Sequence, residues 1–371
     1  MRNSLILLLL SLALGAFSTQ AKTVTDITGR QVAVPDNPQR IVVGESRMLY
    51  TLALLEPGNP AQRIVGWPQD LARFDAQSWQ LYSHQYPQIK DIPVISGNNF
   101  RQVNIESLIQ LKPDLVILAR YAREDGDNDL LLKALDKAGI AAIYVDLRID
   151  LLNNTVPSVR LLGEVLNRQQ RAEQFIRFYQ QHMAVIQQRL AGYRGPKPKV
   201  MLHLHLGRRE TCCTTAAHGN LGDLLAFAGG DNIASASIKG VYGELNPETI
   251  LTANPDIYIA TGMAGPQGKR VSDLRLGPLV SQQDADASFR QLMPKQPMLA
   301  SLSAVKNRQA WSIWHNFYLS PYHVVAVEMF AKAFYPDLFA DLNPQQTFKQ
   351  LYQQFLPLPF SGTYWSQLNN E

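Results

Sequence analysis

Two rhythms of apolar and polar positions run along this chain. Short continuous apolar runs, Arg40-Ile-Val-Val-Gly44, Arg63-Ile-Val-Gly66, Val94-Ile95, Leu115-Val-Ile-Leu118 and Ile140 to Val145, read as buried strands. Segments of helical spacing lie among them: Ser46 to Leu55, Leu108 to Leu111 and Leu130 to Ala138. Strands separated in this way predict a mostly parallel sheet covered by helices. Upstream, two alternating segments flank Thr28-Gly29-Arg30, the pattern of a small hairpin.

The rhythm changes near residue 155. Beyond Val165 the apolar positions are Ala172, Ile176, Tyr179, Met183, Ile186 and Leu190, whose steps of four and three keep one stripe, broken only around Asn167 to Arg171. Thr155 or Asn154 can cap the start, Pro157 suits the first turn and Gly192 the end. One helix over 155–192 is expected, roughly 50 Å long at ~1.5 Å per residue. Strand and helix patterns resume with Lys199 to Leu206, Asn220 to Phe227, Pro247 to Thr252 and Asp256 to Ala260. Val324 to Phe334 and Pro344 to Phe355 form a helical tail.

The two halves repeat each other. Residues 103–118 and 245–260 align without a gap, pairing Asn104 with Asn246, Glu106 with Glu248, Pro113 with Pro255 and Asp114 with Asp256. Asn caps a short helix, Glu lies in its first turn and Pro forces the exit into a strand. A unit used twice, 142 residues apart, predicts an α/β chain of two similar mostly parallel-sheet lobes joined by one long backbone helix. The expected boundaries are 22–154 for the N-terminal lobe, 155–192 for the linking helix and 193–371 for the C-terminal lobe with its closing helices.

Composition narrows the setting. Of 371 residues, 46% are hydrophobic and 18% charged, an ordinary globular balance that excludes a disordered chain. A net charge of +4, without any run of five basic residues, argues against nucleic-acid binding. The one long apolar run, Leu5 to Phe17, follows the basic start Met1-Arg2-Asn3 and precedes small residues at Thr19 and Ala21. That is a secretory signal, residues 1–21, with cleavage after about Ala21 and a periplasmic product. No cysteine follows the run, so no lipid anchor is expected. The only cysteines are the adjacent Cys212 and Cys213, which cannot build a disulfide framework.

With these features in place, the chain resembles the helical-backbone (class III) periplasmic substrate-binding proteins that serve ABC importers of iron–siderophores, haem and cobalamin. The matching pieces are Asp26-Ile-Thr-Gly-Arg30 with Pro35-Asp-Asn-Pro-Gln-Arg-Ile-Val42, the doubled Asn-x-Glu…Pro-Asp unit, Leu302-Ser-Ala-Val-Lys-Asn-Arg-Gln-Ala-Trp311 and Tyr335-Pro-Asp-Leu-Phe339. The resemblance implies ligand capture between lobes, slight closure, and delivery by a monomer to a dimeric inner-membrane permease. It also implies that Glu106 and Glu248, one on each lobe, contact that permease.

Ligands of open α/β sheets meet the loops at the carboxyl ends of strands. That rule selects Arg47, Trp67, Phe100, Arg101, Arg120, Tyr121 and Arg123 in the first lobe. In the second it selects Arg208, Arg209, Tyr242, Trp314, His315, Tyr318 and Tyr322. Guanidinium forks and aromatic rings suit an anionic chelate, and a ferric siderophore fits best, with no cofactor of the protein's own. Haem, a corrinoid or an oxyanion such as molybdate are the alternatives, with Tyr318, Tyr322, His315 or His323 as axial ligands for haem. His203 and His205, on one face of a strand, could with His218 serve a secreted metalloenzyme, but the ligand set falls short of a zinc site. The chain has no Gly-x-Ser-x-Gly elbow, phosphate loop or His-Glu-x-x-His, so a binding protein rather than an enzyme is expected.

Overall fold

The structure, a computed structural model, describes residues 21–96, 103–121, 128–208, 212–265 and 274–368. The expected leader thus lies outside the described residues, apart from Ala21. Strands β1 (Ala21–Thr25) and β2 (Gln31–Pro35) form the expected antiparallel hairpin. Asp26 closes it, accepting hydrogen bonds from the Thr28 amide at 2.9 Å and the Arg30 amide at 3.1 Å, with Gly29 at φ +82.

The first lobe is a five-stranded parallel sheet built from β3 (Ile41–Val43), β4 (Ile64–Pro68), β5 (Val94–Ser96), β6 (Leu115–Ala119) and β7 (Ala141–Val145), in the order β5-β4-β3-β6-β7. The second lobe holds β8 (Lys199–His203), β9 (Thr214–Ala216), β10 (Asp231–Asn232), β11 (Tyr242–Glu244), β12 (Ile257–Gly262), β13 (Ala310–Trp314) and β14 (Trp365–Gln367). Its sheet runs β10-β8-β12-β13-β14, parallel except for the last strand, beside a β9–β11 ribbon. All residues of β6 and β12 are buried, which is why their runs are apolar without alternation.

The repeated unit performs one job twice. Asn104 caps helix Ile105–Gln110 through the Ser107 amide, and Asn246 caps helix Pro247–Ala253 through the Glu248 amide. The aspartate after each Pro then pins the neighbouring strand. Asp114 accepts from the amides of Gln39 and Arg40 at 2.9 and 3.0 Å, ahead of β3, and Asp256 accepts from the Lys199 amide at 2.8 Å, at the start of β8.

The expectation of one straight helix over 155–192 is corrected. Helix Leu151–Val165 starts earlier, capped by Asp150, and carries Pro157 in its interior rather than its first turn. A second helix, Gln169–Gly192, follows after Asn167 takes a left-handed φ of 57. Gly163 lets the two pack closely, since a Cβ there would lie 2.4 Å from the Ala172 Cβ. The spine is therefore the 24-residue second helix, roughly 36 Å at ~1.5 Å per residue. Its predicted stripe is buried from Ala172 through Ile186, and Leu190 is half-buried. Arg171 ties it to helices Leu49–Leu55 and Pro344–Phe355 by donating to the carbonyls of Leu54 and Phe355 at 2.7 and 2.6 Å. One continuous apolar core runs through both sheets and the spine. Among the described residues no helix is long and apolar enough to cross a membrane.

Candidate ligand-binding cleft

Loops at the carboxyl ends of the strands meet between the lobes. Glu45, Ser46 and Arg47 follow β3, Asp70 follows β4, Tyr121 follows β6, and Asp146 and Arg148 follow β7. Facing them, His315, Asn316 and Tyr318 follow β13. The buried Arg47 guanidinium donates to Asp70 at 2.9 Å and Glu45 at 3.1 Å on its own lobe. It then crosses to the Tyr318 hydroxyl at 3.0 Å and Asn316 Oδ1 at 3.4 Å. Asp70 is fixed in turn by the Ser46 amide and hydroxyl at 2.7 and 2.6 Å. Arg148 joins the same Glu45 oxygen that Arg47 holds.

Rings and guanidinium groups alternate through this cluster. Arg148 lies 4.4 Å from the Tyr121 ring centre and 5.0 Å from that of Tyr318, while Arg47 lies 5.9 Å from Tyr318 and 5.3 Å from Phe74. Burial works against the charge of Arg47, but Tyr318, Glu45 and Asp70 outweigh it and hold the group well above its usual pKa. Arg148 is likewise raised against burial, chiefly by Glu45. Burial raises the phenols of Tyr121 and Tyr242, so both are neutral donors at pH 7. Tyr242 is 45% exposed and stands within electrostatic range of Arg148, Tyr318 and Glu45. His315 donates or accepts at Thr261 Oγ1 over 2.8 Å and its ring centre lies 3.7 Å from that of His205. Burial, then His205, pushes its pKa well below the usual histidine value.

The floor of the cleft is cross-tied. The Asn220 side chain donates to the Arg148 carbonyl at 2.6 Å and its amide donates to the Ile149 carbonyl at 2.7 Å, while deeper, in the core, the Tyr322 hydroxyl donates to the Tyr50 carbonyl at 2.9 Å. A Cβ at Gly219 (φ +77) would lie 2.9 Å from the Ile149 oxygen, so this approach needs glycine.

A sequence model of the periplasmic binding protein family matches residues 63–313. The chain belongs to this family. It is similar to the molybdate-binding protein MolA of Haemophilus influenzae, 24% identical over 374 residues, or 95% of this chain and 96% of that protein. An uncharacterized ABC transporter substrate-binding lipoprotein of Bacillus subtilis, YvrC, is 21% identical, covering 86% of this chain and 87% of its own. Among solved structures, the TroA-like periplasmic binding protein FepB of Veillonella parvula superposes with a TM-score of 0.85 at 28% identity, covering 94% of this chain and 99% of that one. As in these relatives, the role is solute binding and not catalysis.

Within this family member, the strand-end rule brings Arg47, Tyr121, Tyr242, His315 and Tyr318 together. Arg120, paired with Asp146 at 3.5 Å, and Arg208, donating to the Met263 carbonyl at 3.3 Å, stand at the strand ends of either lobe. Phe100, Arg101, Arg123 and Arg209 lie outside the described residues. Trp67, Trp314 and Tyr322 are corrected from cleft to core. Trp67 is part of β4 and packs on Trp79, Trp314 ends β13 against Tyr50, Phe317 and Tyr364, and Tyr322 packs on Phe348, all at most 3% exposed. Large rings there seal the sheet ends instead of facing a ligand.

His203 and His205 are core and cleft-wall residues, as expected over a metal pair. The strand stops at His203 and the chain turns, with His205 at φ +59, so the two do not share a face. His203 turns inward to the Tyr258 hydroxyl at 2.8 Å, and burial lowers its pKa to about 4. His218 is exposed and binds the Ser235 carbonyl, so the His203/His205/His218 metalloenzyme does not assemble. His323 has both ring nitrogens engaged, by Ser320 O and Tyr179 Oη at 2.8 Å each, which removes it as a haem ligand. Glu45, Asp70, Asp146, Arg148 and Asn316 were not foreseen from sequence. Arg148 obeys the same rule as Arg47, three residues beyond β7, and the carboxylates escape a search for cations alone.

Proposed function

We propose that this periplasmic binding protein captures an anionic ferric siderophore in the cleft and delivers it to a dimeric ABC permease. The alternating series Tyr121–Arg148–Tyr318–Arg47–Phe74 carries the reading. Its guanidinium groups are balanced by Glu45 and Asp70, so the cleft offers aromatic rings and N–H donors rather than a concentrated charge. That suits a large chelate whose charge is distributed over many donor oxygens. A compact oxyanion is the second reading, favoured by the similarity to MolA over 95% of the chain.

Thermal unfolding with ferric catecholates, ferric hydroxamates, ferric citrate, molybdate, haemin and cobalamin tests both readings. A ligand at 100 times its Kd adds about 2.7 kcal/mol of stability by mass action. Stabilisation by a ferric chelate, weakened by salt, is the expected outcome. Molybdate alone selects the oxyanion, and a response to cobalamin or haemin alone overturns both.

Delivery rests on Glu106 and Glu248, both exposed in the first turns of equivalent helices on the two lobes. Matched carboxylates fit matched arginines on a two-fold permease. Reversing both (Glu106→Lys with Glu248→Lys) should abolish uptake with ligand affinity and Tm unchanged, and normal uptake would refute the docking role.

A further inference from the structure

Behind the cleft wall, the end of β8 and the start of β9 place three potential metal ligands together. The Leu204 amide donates to the Thr214 carbonyl at 2.8 Å and the Leu245 amide to the Cys213 carbonyl at 3.0 Å, which locks the Cys212-Cys213 segment beside His203. One nitrogen of His203 and the two sulfurs all lie within 4.8 Å of one another. Tetrahedral zinc with bonds of roughly 2.0–2.3 Å spaces its ligands about 3.5 Å apart, so the imidazole stands within reach of both sulfurs, which separate from each other once their bond is reduced.

We propose that His203, Cys212 and Cys213, once the cysteine pair is reduced, form a binding site for a thiolate-preferring ion of the Zn(II) class. In the structure the two cysteines are joined as a disulfide, and the site opens only when a dithiol reduces it. The dithiol gives up two electrons and two protons and becomes a disulfide, while Cys212 and Cys213 become thiols. A divalent ion then displaces both thiol protons and takes the imidazole nitrogen as third ligand, which leaves a fourth position open.

Two further features fit a metal site. The Tyr258 hydroxyl, itself fully buried, holds Nδ1 of His203 at 2.8 Å, the outer-shell contact that orients a ligating imidazole. Cys213 and His203 are buried while Cys212 is partly exposed, which gives the ion one side of entry. This ion site is separate from the cleft and does not depend on which ligand the cleft takes.

The test uses the mature chain, reduced with dithiothreitol, desalted under argon and titrated with Co(II), without any siderophore. Alkylation confirms two free thiols. One equivalent of cobalt should bind with a thiolate-to-cobalt charge-transfer band, zinc should displace it, and the oxidised protein should show no band. Tyr258→Phe keeps the buried ring and both thiols and should weaken cobalt binding by about 10–100-fold. Cys212→Ser should diminish the charge-transfer band. A two-thiol protein that takes up no cobalt overturns the proposal, as does cobalt binding left unchanged by both Tyr258→Phe and His203→Ala.

Discussion

Arg47 offers the sharpest test of how the cleft is held together. Replacing it by Met keeps most of the apolar stem and removes the charge. Asp70, 1% exposed, then loses the Arg47 guanidinium but keeps the Ser46 amide and hydroxyl. Glu45 keeps Arg148. Breaking a buried pair by removing one partner costs roughly 3–5 kcal/mol. Because both carboxylates retain partners, the lower end applies, about 3 kcal/mol, with the lost bonds to Tyr318 and Asn316 included. That is roughly a hundredfold change in the folding equilibrium at ~1.4 kcal/mol per factor of ten. The assay is urea unfolding followed by tryptophan fluorescence, reading the midpoint at unchanged m-value. The main apolar core, which runs through both lobes, predicts one cooperative transition. Adding Asp70→Leu should recover at least half of the loss, because the stranded carboxylate is then gone. A cost below about 0.5 kcal/mol, the level of an ordinary surface substitution, would refute the buried-network account. So would a double variant whose loss equals the sum of the two singles.

Three further outcomes follow from the same packing. His323 has a pKa lowered to about 4 by burial, so the folded state resists its protonation. Its contribution is present above pH ~6.5 and lost as pH falls toward 4, at about 1.4 kcal/mol per unit. The stability gap between wild type and His323→Gln should therefore narrow over that range, and parallel pH curves would refute it. Gly163→Ala puts a methyl 2.4 Å from the Ala172 Cβ and should cost roughly 1–3 kcal/mol in the same unfolding assay, a neutral result showing that the helices separate freely. Small-angle scattering of free and ligand-loaded protein should nearly coincide, and marked compaction on loading would contradict the cross-tied floor.

The sequence disclosed the frame because each of its signals has a local cause. The Asn-x-Glu…Pro-Asp unit is readable twice since its cap, its proline exit and its strand-pinning aspartate all act within a few residues of themselves. The spine stripe was legible for the same reason, and its break was visible only as a gap, because the Gly163–Ala172 approach is tertiary. The cleft was half legible. Strand-end position found Arg47 and Tyr318 but could not separate them from Trp67, which lies inside β4, and Tyr322, which lies four residues beyond Tyr318, both in the core. Cys212-Cys213 with His203 was invisible in spacing, since His203 ends β8 and the cysteines lie just ahead of β9.

The network that positions the cleft is also the network that joins the lobes. Arg47 reaches from β3 to Tyr318 and Asn316 beyond β13, while Asn220 returns from the second lobe to the backbone of Arg148 and Ile149. Arg171 meanwhile binds the spine to helices Leu49–Leu55 and Pro344–Phe355. Closing or opening the lobes widely would break several buried hydrogen bonds at once, each leaving a polar group without a partner at ~1–3 kcal/mol. A ligand therefore meets a cleft already shaped, and its affinity is not drawn on to assemble the site. The same rigidity keeps Glu106 and Glu248 at a fixed separation whether or not the cleft is filled. Under the docking role proposed for Glu106 and Glu248, a permease would distinguish loaded from empty protein by what lies between the two carboxylates, not by the distance between them.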